Sequence, residues 1–193
     1  MHAQTAPLTL VDAIWPHRRA LHNVALILAF SLVIALSAQI AFPIPFSPVP
    51  VTMQTLTVLL TGMLLGSRLG ALTLLAYLAE GIAGLPVFAF GTSGPAVLFG
   101  PTGGYLIGFV VAAGLVGFLA ERGWDRRRVT TFLAMIVGNL AIYACGAGWL
   151  GFYLSSLGEA IMVGVLPFLI GDAMKIALAV ILLPGAWALL AKK

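Results

Sequence analysis

Between Ile161 and Leu190 the chain is apolar except for two ionisable side chains, Asp172 and Lys175. Three residues apart on a helix, they are neighbours on one face. A charge at membrane depth costs at least a few kcal/mol, so such residues face a bundle interior or a water-filled cavity. Two chemistries suit the pair: a salt bridge that neutralises itself between helices, or the polar floor of a ligand site. Asn139 and Tyr143 are i,i+4 neighbours on another apolar run, where interhelical hydrogen bonding and ligand contact explain them equally well. Thr52 and Gln54 open a further run, as a helix cap and a backbone partner or as ligand contacts. Glu80 reads as the cap of a helix end at the interface.

Enzymatic chemistry fares poorly. His2, His17 and His22 all precede the first apolar run, which leaves no intramembrane Ser–His pair or histidine metal site. Ser93, in the turn Gly91–Gly94, has no candidate base beyond Glu80 or Asp172. The run GPTGG (Gly100–Gly104) lacks the Gly-Lys-Ser/Thr ending of a nucleotide loop. No ATP-binding motif is visible, so the chain is expected to be no enzyme, to carry no cofactor and to have no means of drawing on ATP by itself. Cys145 is the only cysteine, which excludes an internal disulfide and a cysteine metal cluster.

The elements that position these residues must lie in lipid. Of 193 residues 61% are hydrophobic and 8% charged, with a mean hydropathy of +1.10, more apolar surface than a soluble domain of this size can bury. Backbone groups in lipid must pair internally, and the apolar runs are too long and continuous for barrel strands. The expected fold is therefore an all-α integral membrane protein with six transmembrane helices and structured outer loops. The net charge of +4 does not suggest nucleic acid, because the basic residues sit in short clusters beside apolar runs.

Residues 1–22 read as a loose N-terminal tail, and residues 23–193 as one membrane domain. The first span covers Val24–Phe42, with Ala25 and Ala29 as a small-xxx-small pair that permits close helix approach. Four prolines in Phe42–Val51 then force the chain out of the helix. The second and third spans, Val51–Gly66 and Leu69–Leu85, meet at a turn carrying Arg68. There Gly62, Gly66 and Gly70 form GxxxGxxxG and predict tight packing of the two. Gly81–Tyr105 is apolar yet dense in glycine and proline, which predicts a structured loop folding back over or into the bundle. The fourth span is Tyr105–Ala120 and the fifth Val129–Leu150. A short helix near Glu159 precedes the sixth span, which starts at Pro167 and bends at Pro184.

With six spans, Arg18, Arg19, Arg68, Arg122, Arg126–Arg128, Lys192 and Lys193 all fall on one side, and the first, third and fifth loops hold no Lys or Arg. The positive-inside rule makes both termini cytoplasmic and the three unusual loops outward-facing. Asp172, five residues past Pro167, then lies about 7–8 Å below the outer surface at 1.5 Å per residue. The Pro-rich loop, the Gly-rich loop and the Asp172–Lys175 face enclose one outward pocket, with Phe88, Phe90, Phe99 and Tyr105 as aromatic walls. Few polar groups on apolar walls describe a small-molecule site.

Four segments carry a resemblance: PVPVTMQTL (Pro48–Leu56), YLAEGIAGLPVFAFGTSG (Tyr77–Gly94), GPTGGYLIGF (Gly100–Phe109) and PFLIGDAMKIALA (Pro167–Ala179). In order and spacing they resemble the BioY family, the substrate-binding S components of biotin energy-coupling-factor (ECF) transporters. The resemblance implies the six-helix S-component bundle and high-affinity biotin uptake from outside, through a pocket closed by the first and third loops. It also implies partnership with a transmembrane coupling protein and ABC-type ATPase subunits, in the inner (plasma) membrane of a bacterial cell. The substrate-binding set it suggests is Asp172, Lys175, Asn139, Tyr143, Thr52, Gln54, Phe88, Gly94, Gly103, Gly104 and Tyr105. Ala25 and Ala29 match the small-residue face that meets the coupling protein in related S components.

Biotin has a ureido ring at one end and a carboxylate at the other. Asp172 and Lys175 are too close together to serve both ends. The expectation is that Asp172 accepts ureido N–H bonds while Lys175 neutralises it and donates to the ureido oxygen. The carboxylate is left to hydroxyls and backbone N–H groups of the outer loops. The competing assignment gives Lys175 the carboxylate. A different class of function, a structural or assembly subunit whose Asp–Lys pair is an interhelical latch, stays open on the residues alone.

Overall fold

A computed structural model describes residues 9–16 and 19–191. Arg18, His2, His17, Lys192 and Lys193 lie outside the described residues. Within the segment expected to be loose, Leu10–Ile14 is a short helix, α1, packed against the bundle with Leu10 and Val11 buried. Its start is fixed by a reciprocal cap. The Asp12 amide donates to Thr9 Oγ1 (3.2 Å), and the Thr9 amide donates to Asp12 Oδ2 (3.1 Å).

The long helices follow the apolar runs. Helix α2 spans Ala20–Gln39 and leads into a two-stranded antiparallel hairpin, β1 (Ala41–Ile44) and β2 (Ser47–Thr52). The Pro-rich sequence predicts only a helix end here, whereas the structure pairs it as strands. They are possible because a lone pair of strands leaves one edge of each unpaired, so Pro43, Pro48 and Pro50 need donate nothing, and the ladder shifts register between Phe42 and Ile44.

Helix α3, Gln54–Ile82, is two helices folded back on each other at Gly66. Gly66 adopts φ +85°, ψ 176°, a conformation open to glycine and strained for other residues. The reversal brings Gly62 against Gly70, where an added Cβ would stand 2.9 Å from the Gly62 Cα. The predicted GxxxGxxxG packing is thus the seam of a helical hairpin, and both halves lie against α4 (Gly103–Glu121). The Glu121 carboxylate accepts the Ser67 amide (2.7 Å) and hydroxyl (2.8 Å), closing the turn from the α4 side.

Residues 83–102 cross the end of the bundle through 3-10 turns at Ala89–Gly91 and Pro95–Val97. Helix α5 runs from Arg128 to Leu154 and α6 from Leu157 to Gly164. A 3-10 turn at Leu166–Phe168 holds Pro167, and α7 follows as Leu169–Leu190 with Pro184 inside it. Counting α3 twice and joining α6 to α7 gives six spans, in the order the sequence predicts. Buried residues from α2 to α7, among them Ile34, Met63, Val116, Met135 and Leu183, form one core.

Candidate functional site

The site is built at the end of the bundle where the β1–β2 hairpin and residues 83–102 lie. Asp172 sits in the first turn of α7, where the helix dipole favours a carboxylate. It is 4% exposed and Lys175, one turn on, is 9% exposed. Lys175 Nζ donates to Asp172 Oδ1 (3.1 Å), Thr55 Oγ1 (2.7 Å) and the Thr52 carbonyl (2.8 Å). An ammonium has three N–H bonds, so all are used. The Thr55 hydroxyl in turn donates to Asp172 Oδ1 (3.2 Å), and the Tyr143 hydroxyl donates to Asp172 Oδ2. The cluster ties α7 to β2, α3 and α5. Asp172 keeps acceptor capacity, since a carboxylate offers about four lone-pair sites and three are taken.

Above this floor is a cavity of about 220 Å³. Its walls come from the hairpin (Pro48, Pro50), from residues 88–102 and from α4, with Tyr105, Leu106 and Phe109 facing in. Gln54 stands at the side, buried, and its Nε2 donates to the Tyr77 hydroxyl (2.8 Å), which donates to the Val87 carbonyl (3.0 Å). That relay pins the start of the 83–102 segment to α3. Phe88 completes the attachment edge-on to Tyr77, with ring centroids 5.5 Å apart, in a slot that exists because residue 81 has no side chain. On the far side Trp149 Nε1 donates to the Gly100 carbonyl (2.9 Å) and Tyr153 to that of Phe99 (2.9 Å), fixing the segment to α5.

Of the residues singled out from the sequence, Asp172, Lys175, Tyr143, Thr52, Gln54, Phe88 and Tyr105 line this cavity. Four others lie elsewhere. Asn139 is one turn along α5 from Tyr143, 8% exposed, and its Oδ1 has no hydrogen-bond partner among the described residues. Gly94 holds φ +89° before a 3-10 turn, and its amide donates to the Gly81 carbonyl (2.8 Å). Gly103 lies against the Leu98 carbonyl, and Gly104 lets α4 approach Trp149 and Cys145 of α5. Phe90 lines the cavity, whereas Phe99, expected as a wall, is 71% exposed. Ala25 and Ala29 are exposed on α2, beside exposed Leu28 and Leu32. Glu80 accepts a bond from Ser31 of α2 (2.8 Å).

Thr55 is the central residue that the sequence did not single out. Its signal was present in the same form as that of Gln54, a polar side chain in the first turn of a span. Leu106, Phe109, Ile142 and Phe168 carry no such mark, because apolar wall residues look like core.

The comparisons with known proteins bear on the whole chain. The profile of the BioY family matches residues 7–192. A protein of Thermotoga maritima named biotin transporter BioY is 40% identical, over 79% of this chain and 88% of its own. A probable biotin transporter BioY of Pyrococcus horikoshii is also 40% identical, over 83% of this chain and 93% of its own. The crystal structure of the S-component for biotin from an ECF-type ABC transporter superposes with a TM-score of 0.74 at 27% identity. It covers 87% of this chain and 93% of that one. The bundle is thus an S-component fold that spans the membrane several times. Together with the match over nearly the full length, this establishes that the chain belongs to the BioY family.

Proposed function

We propose that the chain captures biotin from outside a bacterial plasma membrane and serves as the S component of an ECF-type transporter. A coupling protein and ABC-type ATPase subunits would be separate chains, the coupling protein meeting the Ala25–Ala29 face. Both termini are cytoplasmic in this reading, with residues 1–22 leading into the membrane domain. Relatives named as biotin transporters support it. The observation that carries it is the cavity itself, apolar and aromatic around a single carboxylate floor.

The geometry favours Asp172 as acceptor of a ureido N–H, since it retains a lone pair on Oδ2. Lys175 has no donor left, so its part is to neutralise and hold Asp172. The ureido oxygen then falls to the second Nε2 proton of Gln54, which the Tyr77 bond leaves unused. The bicycle packs on Phe88, Phe90 and Tyr105, and the carboxylate meets Thr92, Thr102 and backbone amides. Purified protein titrated with biotin should show saturable binding. Its absence from correctly folded protein would leave the latch reading, which the closed Lys175 network favours on its own.

A further inference from the structure

One of two non-glycine residues with positive φ among the described residues lies in the cavity wall. Phe90 has φ +58°, ψ +26°, in the left-handed region, which is strained for a bulky side chain. Such strain persists only where the surroundings over-determine it. Part of the restraint is internal: the Phe88 amide donates to the Thr92 carbonyl (3.1 Å), and the Gly91 amide to that of Phe88 (3.1 Å). The rest comes from one side chain on another helix. The Gln39 amide straddles the turn, Nε2 donating to the Phe88 carbonyl (3.1 Å) and Oε1 accepting the Gly91 amide (2.9 Å).

Gln39 is the last residue of α2, and α2 is the least buried of the long apolar helices. The next residue, Ile40, accepts the Met53 amide (3.2 Å) and starts the hairpin that forms another wall. One helix end therefore carries two walls of the cavity. We propose that Gln39 is a positioning residue for the ligand: it fixes the 88–92 turn, with Phe90 over the cavity, to α2, so that the ligand leaves only when this tie is broken. The proposal rests on the biotin reading for its ligand, and on the structure for the tie.

The test uses Gln39→Leu, of similar size with neither bond, and Gln39→Glu, which keeps the acceptor for Gly91. Dissociation of radiolabelled biotin from purified full-length protein should be about tenfold faster in Gln39→Leu, as expected for two lost hydrogen bonds. The effect should be smaller in Gln39→Glu. Association should change by less than about twofold in both, a split that follows from a tie acting on the bound state. A readout without ligand accompanies it: amide exchange at residues 88–92 should rise in Gln39→Leu while exchange within α4 stays at the wild-type level. Unchanged exchange at 88–92 overturns the tie. Raised exchange with an unchanged dissociation rate overturns the positioning role. If wild-type protein binds no biotin yet the exchange responds, the choice of ligand fails and the tie stands. Should Gln39→Leu not fold, the same comparisons on Gln39→Glu decide.

Discussion

Lys175 has three donors and the fold uses all of them, on Thr52, Thr55 and Asp172. Removing it leaves the Asp172 carboxylate buried with only Thr55 and Tyr143, and losing one partner of a buried pair costs about 3 kcal/mol or more. Lys175→Ala should therefore melt lower and bind more weakly, but biotin and biotin amide should weaken alike, their affinity ratio moving by less than about twofold. Loss of the preference for the acid would show that Lys175 holds the carboxylate. The pair was legible in the sequence because two charges in thirty apolar residues must be explained. Asn139 shared the signal of Tyr143, yet one helical turn separates the cavity wall from the interior below it. Spacing places residues on a face and does not say at which depth a cavity ends. Glycines 94, 103 and 104 each have a backbone reason to be glycine: Gly94 holds φ +89°, and a Cβ on Gly103 or Gly104 would meet the Leu98 carbonyl or Trp149.

At the scale of elements, the α3 hairpin is what brings Gln54 to Tyr77, 23 residues away in sequence. It depends on residues without side chains where three backbones meet. A Cβ on Gly62 would overlap the Ala113 carbonyl and lie 2.7 Å from Val116 Cγ2, and one on Gly117 would meet the Gly66 and Ser67 backbone. Gly62→Leu must push α3 from α4, and overpacking of this kind costs about 1–3 kcal/mol or more. Its melting temperature in detergent should fall, with biotin affinity falling too because Gln54 shifts. Gly148→Ala is the control: nothing lies within 4 Å of its Cβ, so the helix propensity of alanine should leave stability equal or slightly higher. Equal melting of Gly62→Leu and wild type would mean that the seam is not close-packed. The glycine spacing made this hairpin readable, since GxxxG has one dominant use in apolar helices. The β1–β2 hairpin was not readable in that way. Its prolines announce a helix end, while the pairing depends on a register shift that only the two strands together define.

Across the whole molecule the two ends differ in kind. The cavity end is held by side chains that bond loop backbone, among them Gln39, Trp149 and Tyr153, and it surrounds an open space. The opposite end is closed by ties between its turns and the helices. Glu121 holds the α3 turn, and Trp187 Nε1 near the end of α7 donates to Asp125 Oδ2 (2.6 Å) in the turn between α4 and α5. Arg126 lies over the Trp187 ring, 4.5 Å from its centroid. Asp125 makes the closed end testable, for it is 0% exposed and its Oδ1 has no hydrogen-bond partner among the described residues. Burial pushes its carboxyl above the ordinary range, against the opposing pull of the Trp187 bond and Arg126. A carboxyl whose folded pKa is raised binds more protons in the native state, so stability falls as pH rises from the ordinary value of about 4 through the raised one. Asp125→Asn keeps an acceptor for Trp187 and removes that loss. The variant should melt above wild type at about pH 8, and the two should converge as the pH falls toward the ordinary carboxylate value of about 4. A difference that stays constant across this range would mean that Asp125 is ionised without penalty, and that the Trp187 bond and Arg126 together offset its burial.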